Sequence, residues 1–361
     1  MPKKRNINVL LTSVGCPGGP SIIKSLRVVK ERKIKIIGTD MGKFASGFFL
    51  SDKFYIVPGG AEENYIDEML KIVKREKPDV LIPLSEPESL ALSRNKKLFE
   101  DIGTKVVASN YETIKIAANK AKTYEFFKKN DIPVPDFFIP KSWDEFLDSI
   151  KCLGYPEKQV CLKPTNSSGT RGFFILDSKN KINILEYKPE AFPVISLELL
   201  ERNFKDCFPS IVVMEYLSGT EYSIDTLTIN GETLVIVPRK RVRLRSGITE
   251  VGVVEKNESI EELIRNSVKF LKTDYSINIQ ARFSDSKPKV IEVNPRLSGT
   301  VILCVMAGVN LPYLSVKLAL GEEIEKVKPI YGTWILKYSE GICLLEEGGK
   351  LKKLNWEKYY Q

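Results

Sequence analysis

The chain contains no histidine. Every mechanism built on an imidazole base is therefore excluded, and so are the usual histidine-ligated zinc enzymes. Chemistry has to come from carboxylates, lysines, arginines or a bound metal ion. The six cysteines, Cys16, Cys152, Cys161, Cys207, Cys304 and Cys343, form no CxxC pair and no regular spacing, which argues against a disulfide framework or a zinc ribbon. No signal-peptide pattern and no apolar run of about 18 residues is read, so a reduced, cytoplasmic protein without a membrane partner is expected. Internal repeats and low-complexity segments are lacking as well. The net charge of +9 is large, yet lysines and arginines lie beside acids along the whole chain. That spread favours a solvated surface or a small anionic ligand over nucleic acid.

At 361 residues, with 43% hydrophobic and 28% charged positions, the chain is long enough for two or three domains. Apolar INVLLTSV, the turn GCPGGPS, the helical pattern SIIKSLRVVKERK and the strand KIKIIGTDM make a β-α-β unit. The turn reads Gly15-x-x-Gly18-Gly19, not GxGxxG, so a dinucleotide site is weakly signalled even with Asp40 ending the second strand. Helix YIDEMLKIVKREK, strand PDVLIPLS, helix PESLALSRNKKLFEDIG and strand TKVVAS extend the alternation, which predicts one doubly wound α/β domain to about residue 112. Ligands of such sheets gather at the carboxyl ends of the strands, here the Gly15 turn, Asp40 and the segment from Ser85 to Glu88. Beyond it, QVCLKP and FFILDS read as a hairpin whose tip is TNSSGTRG, and SIVVMEYL, EYSIDTLTI and ETLVIVPRKRVRL as further strands. Asn230-Gly231 is a strong two-residue hairpin turn. Helical patterns also cover ESIEELIRNSVKFLK, residues 299 to 308 and residues 311 to 320, and GTWILKYS is strand-like.

The densest chemistry lies in VIEVNPRLSGT, from Val290 to Thr300. Glu292, Asn294 and Arg296 occupy alternate positions with apolar Ile291 and Val293 between them, which is strand spacing. Upstream, YSINIQARF and the turn residues Ser-Asp-Ser-Lys-Pro predict a hairpin in which Gln280 pairs with Glu292. Gln280, Glu292 and Asn294 then share a face, with Ile279, Ala281, Ile291 and Val293 packing beneath. Such a cluster of oxygens suits a hard cation bound to phosphates, because Mg²⁺ takes a few protein oxygens and keeps others from water or substrate. Lys163, ending an apolar strand before the Gly, Ser and Thr loop of residues 165 to 172, offers a point charge beside backbone N–H groups that can approach a phosphate. Arg239, Arg241, Arg243 and Arg245 stand at strand spacing: either a solvated edge strand, or four like charges on one face that hold an anion.

Taken together these pieces resemble the ATP-grasp superfamily, and within it the carbamoyl-phosphate-synthase-like branch of carboxylate–amine ligases, over about residues 7 to 325. The pairing of NIQARF with VIEVNPRLSG is the most specific part. The resemblance implies an α/β and α+β architecture: an N-terminal doubly wound parallel domain over 1–115, two α+β lobes clamping ATP over 116–215 and 216–330, and a C-terminal extension over 331–361. It implies Mg²⁺, with Mn²⁺ as the alternative ion, on Gln280, Glu292 and Asn294. It places ATP phosphates on Lys120, Lys163 and the loop residues Ser168, Gly169 and Thr170, with Arg171 in reach. Glu215, Tyr216 and Leu217 would form the adenine slot, and Glu221 would meet the ribose, with Asp225 a weaker candidate. Arg296, with Arg241 or Arg243, would meet the acyl phosphate or the acid substrate.

The implied activity is ATP-dependent ligation of a small-molecule carboxylate to an amine through an acyl phosphate, with release of ADP and phosphate, in a chain that dimerises as family members often do. Carbamoyl phosphate synthesis is not expected, because 361 residues hold one ligase unit and not two. A nucleotide-binding regulator without catalysis is the main alternative. A nicotinamide-dependent oxidoreductase would use the first β-α-β unit but leave Lys163 and the Gln280/Glu292 hairpin without a task.

Overall fold

Residues 4–166, 172–179 and 193–354 are described by the structure, a computed structural model. Two compact units divide them. The first holds the described residues up to Ala108, the segment Arg296–Glu325 and those from Leu336 onward; the second holds those of Ser109–Pro295 and Lys326–Ile335.

In the first unit, near-continuous apolar runs become strands that are buried on both faces at the centre of a parallel sheet and largely exposed at its edge, over Lys53–Ile56. They are β1 (Ile7–Leu11), β2 (Ile34–Asp40), β3 (Lys53–Ile56), β4 (Val80–Ile82) and β5 (Lys105–Val106), ordered β3-β2-β1-β4-β5, all parallel. Helices α1 (Gly19–Arg27), α2 (Tyr65–Glu76), α3 (Glu86–Arg94) and α4 (Lys96–Glu100) intervene. The strand order reverses between β1 and β4, which is where ligand crevices form in such sheets. Gly19 is required by packing alone: a Cβ there would lie 2.1 Å from the Val14 carbonyl oxygen. The glycine turn thus has a structural cause that needs no dinucleotide. Two sequence expectations are corrected here. Helix α1 ends at Arg27 instead of running through Lys33, and the long helix expected over residues 87–103 is two, parted at Asn95.

The second unit opens with α5 (Tyr111–Ala117) and α6 (Lys120–Lys129). Its smaller sheet combines β6 (Phe137–Phe138), β7 (Val160–Pro164), β8 (Phe174–Leu176), β9 (Val194–Ile195) and β10 (Ile211–Glu215) in the order β6-β10-β7-β8-β9. Helices α7 (Trp143–Cys152) and α8 (Leu197–Phe204) cover one face, with Trp143, Phe146, Leu200 and Val213 in the core between. The larger sheet has β11 (Glu221–Ile229), β12 (Glu232–Arg245), β13 (Ile248–Val254), β14 (Tyr275–Ser284) and β15 (Lys287–Asn294), paired antiparallel, with β16 (Trp334–Leu336) of the tail at its edge, in the order β15-β14-β11-β12-β13-β16. The amphipathic helix α9 (Glu258–Leu271) buries Ile260, Ile264 and Val268 against Ile277, Ile279, Ala281 and Val293. Asn230 and Gly231 turn β11 into β12 with φ of 47° and 79°, the left-handed pair that a two-residue hairpin needs. Strand β13 has no counterpart in the sequence reading, because ITEVGVV is short and mixed.

The chain then returns to the first unit with α10 (Ile302–Met306) and α11 (Leu311–Ala319), the former shorter than expected. Ion pairs anchor this return: Arg32 to Glu322 at 2.6 Å and Lys4 to Glu322 at 2.8 Å. The tail carries β16 (Trp334–Leu336) and a hairpin of β17 (Leu344–Glu347) and β18 (Lys350–Lys353) that the sequence reading did not anticipate.

Candidate active site

Strand register assembles the site. Gln280 stands opposite Glu292, and Asn278 opposite Asn294. The turn is Asp285-Ser286, with Asp285 at φ 53°, and it alone would leave Gln280 one residue out of step. A bulge between Gln280 and Ala281 restores the pairing by inserting Ile291 as an extra residue on β15. The expectation that Ile291 lies beneath the hairpin is thereby corrected: it packs with Tyr124, Cys161 and Met214, away from the cluster of Ile279, Ala281, Val290 and Val293. The bulge also frees its carbonyl. Tyr124 donates to that oxygen at 2.7 Å and Lys163 Nζ at 3.2 Å.

Two lysines therefore converge on consecutive residues of β15. Asn119 caps α6 by accepting from the Lys122 N–H, and the Lys120 N–H donates to the Thr165 carbonyl, so Lys120 starts the helix at a fixed point. Its Nζ lies 3.4 Å from Glu292 Oε1, and both side chains are largely buried. Lys163 projects from β7, its ammonium 5.4 Å from the centre of the Phe173 ring. Ser168, Gly169, Thr170 and Arg171 lie outside the described residues.

Opposite residues of an antiparallel sheet share a face, so register defines rows of side chains across the large sheet. Glu292, Gln280, Ser223 and Arg239 form one; Asn294, Asn278 and Asp225 form the next. Arg282, Glu221 and Arg241 form a third on the other side. Asp225, the weaker ribose candidate, is buried, 2.5 Å from Arg239 Nη2, and accepts from Asn278 Nδ2 at 2.9 Å. Asn278 Oδ1 accepts in turn from Asn294 Nδ2 at 3.4 Å. Asn294 is thus joined to the arginine strand through Asn278, a residue the sequence reading passed over although it lies two positions before Gln280.

The four arginines do not line one face of an edge strand. Strand β12 is interior, and bulges on either side of Arg243 break the alternation. Arg239 pairs with Asp225, Arg241 with Glu221, and Arg243 and Arg245 reach Glu250 at 2.7 and 3.2 Å. Carboxylates of the protein supply the counter-charge that was sought in a ligand. Glu221 is held by Arg241, which also donates to the Gly247 carbonyl.

At the end of β10, the Glu215 N–H donates to the Asp136 carbonyl at 3.0 Å and its carboxylate pairs with Lys289. Leu217 is buried with Tyr216 packed alongside, in the cluster that contains Cys161 and Ile291. Burial pushes the Cys161 thiol up to about 12, so this cysteine packs and does not attack.

Arg296 belongs to the first unit. Its Nη2 lies 3.9 Å from Glu86 Oε1, at the crevice end of the parallel sheet. There Thr12, Ser13 and Ser85 donate to one oxygen of Glu88, at 2.5, 2.7 and 2.8 Å, tying together the ends of β1 and β4. Burial raises the Glu88 carboxyl despite these bonds. Asp40 accepts from the Gly15 N–H at 2.7 Å.

Among the described residues no three His, Cys, Asp or Glu side chains cluster into a metal cage. The hairpin set fits Mg²⁺ all the same, because this ion uses one or two carboxylates together with substrate phosphates. One carboxylate, two amides and two flanking lysines are a donor set for a metal phosphate, not for a bare ion.

Comparison with known proteins agrees with this geometry. A family model described as "ATP-grasp in the biosynthetic pathway with Ter operon" matches residues 207–341, and one described as "PylC-like, N-terminal domain" matches residues 9–107. The carbamoyl phosphate synthase large chain of Clostridium acetobutylicum is 27% identical over 312 residues, which is 83% of this chain but 27% of that one. The chain thus spans about a quarter of the length of the curated relatives it matches. The biotin carboxylase domain of Hydrogenobacter thermophilus 2-oxoglutarate carboxylase, solved with MgADP and bicarbonate, superposes with a TM-score of 0.67 at 16% identity, over 91% of this chain and 73% of that one. An L-amino acid ligase from Bacillus licheniformis gives 0.62 at 19%, over 89% and 75%. These likenesses to solved structures establish the fold. The chain thus has the ATP-grasp fold, and its residues 207–341 match an ATP-grasp family model.

Proposed function

We propose that the chain is an ATP-dependent carboxylate–amine ligase that works through an acyl phosphate. The convergence of Lys120, Lys163, Gln280, Glu292 and Asn294 around one β-bulge carries this reading. Gln280, Glu292 and Asn294 would hold Mg²⁺, or Mn²⁺, which supplies charge neutralisation at the phosphates when bound. Lys120 and Lys163 offset the remaining phosphate charge. Leu217 and Tyr216 offer an apolar wall for adenine, and Glu221 reaches the ribose once Arg241 shares it. Phosphoryl transfer depends chiefly on such positioning and neutralisation, so the lack of histidine is no obstacle.

A substrate carboxylate oxygen attacks the γ-phosphorus and the bond to ADP breaks. An amine nitrogen then attacks the acyl carbon, phosphate leaves, and the nitrogen gives up its proton as the amide forms. Arg296, with Arg241 or Arg243, is assigned to the acid substrate and its acyl phosphate. The first unit's crevice, with Glu88, Glu86 and Asp40, is assigned to substrate recognition. The N–H groups of the loop at 165–172 are assigned to the phosphates. A cytoplasmic setting and a homodimer belong to the same proposal; no helix among the described residues is long and apolar enough to cross a membrane.

The test is release of ADP and phosphate from MgATP with a panel of carboxylic acids and amino acids. Substrate-dependent ADP supports the ligase, and AMP in its place sinks the acyl-phosphate route. Tight nucleotide binding without turnover would favour the regulator.

A further inference from the structure

Arg282 has no role in anything described so far. It stands directly opposite Glu221 in the sheet, one row from Gln280 and Glu292 on the same face. Its Nε donates to the Gly219 carbonyl at 3.0 Å, which ties it to the segment joining β10 and β11, and its guanidinium lies 5.5 Å from the centre of the Tyr216 ring. The acids around it are otherwise engaged. Glu221 is taken by Arg241, and Glu215 by Lys289, the cross-strand neighbour of Arg282. Among the described residues, no carboxylate pairs with Arg282, although the side chain is half-buried. A planar cation left without a counter-ion, beside an aromatic ring and the apolar patch of Cys161, Leu217 and Ile291, is a surface for a flat π system.

Resting on the ATP-site reading above, we propose that Arg282 is the residue on which the nucleotide base stacks, so that the base is held by guanidinium stacking and not by aliphatic packing alone. The row order supports this: with phosphates at the row of Glu292 and Gln280, the next row toward Gly219 and Leu217 is the row of Arg282. Affinity should then follow the π surface, with purine nucleotides bound ahead of pyrimidine nucleotides. A rival seat exists beside the same strand end, a cavity of about 650 Å³ lined by Phe137, Phe138, Lys128 and Lys158.

The experiment is titration calorimetry of the full chain with MgADP and MgCDP, using wild type, Arg282→Met, Arg282→Lys and Lys158→Met, each checked for an unchanged melting temperature. Methionine keeps the unbranched stem but not the charge or the plane, so packing loss is separated from stacking loss. Arg282→Met should weaken MgADP about ten-fold and narrow the ADP over CDP preference, with Arg282→Lys between it and wild type. Lys158→Met should leave both unchanged. Wild type binding MgADP while Arg282→Met binds within two-fold of it would overturn the inference and leave the ATP site standing. Weakening by Lys158→Met alone would move the base to the rival cavity. If wild type binds no nucleotide at all, the ATP-site reading itself fails, and this inference with it.

Discussion

Arg239 and Arg282 share one face of the large sheet, yet they are opposite kinds of residue. Arg239 is 1% exposed, paired with Asp225 at 2.5 Å and bonded to Ser223 Oγ at 3.1 Å. Arg282 is half-buried and has a carbonyl and a ring for partners, but no acid among the described residues. A paired buried arginine is spent on the fold, because removing either member strands a charge in a low dielectric. An unpaired one that is only half-buried keeps a charge that a ligand can meet in place of water. The same contrast separates Arg241, matched to the Glu221 carboxylate, from Lys163, whose ammonium meets the Ile291 carbonyl. What distinguishes binding residues here is the accounting of partners, not residue type.

The sharpest way to break this contrast is at Glu292. Glu292→Ala should reduce ATP turnover about a hundred- to a thousand-fold, of the order seen when a transition-state charge stabiliser is lost, and should also lower the melting temperature, because it leaves the largely buried Lys120 without this carboxylate. Full activity in this variant would remove the metal assignment. At the paired end the pattern inverts. Asp225→Ala should destabilise by about 3–5 kcal/mol by stranding Arg239, and Asp225→Leu with Arg239→Met should recover most of that. Chemical denaturation measures both, and a single variant as stable as wild type would show that Arg239 is solvated. Arg282→Met is the intermediate case, visible in nucleotide affinity and not in stability. Arg243, paired with Glu250 but more than half exposed, should move stability by no more than about 1 kcal/mol when changed to alanine.

A pH test extends the comparison to the first unit. Glu76 accepts from Tyr55 and is flanked by Lys53 and Lys35, and these partners hold its carboxyl down at about 2. A carboxyl depressed by folding contributes its stability above its unfolded value near 4.5 and loses it as the pH falls toward 2. Glu76→Gln should therefore flatten the fall in melting temperature between pH 4.5 and 2.5. An unchanged slope would mean that other carboxylates govern acid unfolding.

Much of this was legible in the chain itself. The β-α-β alternation, the Asn230-Gly231 hairpin and the alternation of Glu292 with Asn294 are local patterns, fixed by side-chain period and backbone preference, and they led to the parallel sheet and to the Gln280–Glu292 pair. The pairing was anticipated without its cause, since a turn centred on Asp285-Ser286 needs the Ile291 bulge to deliver it. Helix ends at Arg27 and Asn95 were missed because propensity continues where packing stops.

What only the tertiary structure decided is which charges are left over. The sequence supplies Arg239, Arg241, Arg243 and Arg282 as equals, two residues apart or two strands away in the sheet. Partners come from other strands, through bulges and register that no local pattern encodes, and long-range pairing assigns Asp225, Glu221 and Glu250 to three of them and, among the described residues, none to Arg282. Spacing in the sequence determined that a carboxylate and amides share one strand face; the tertiary pairing determined which acid each arginine meets.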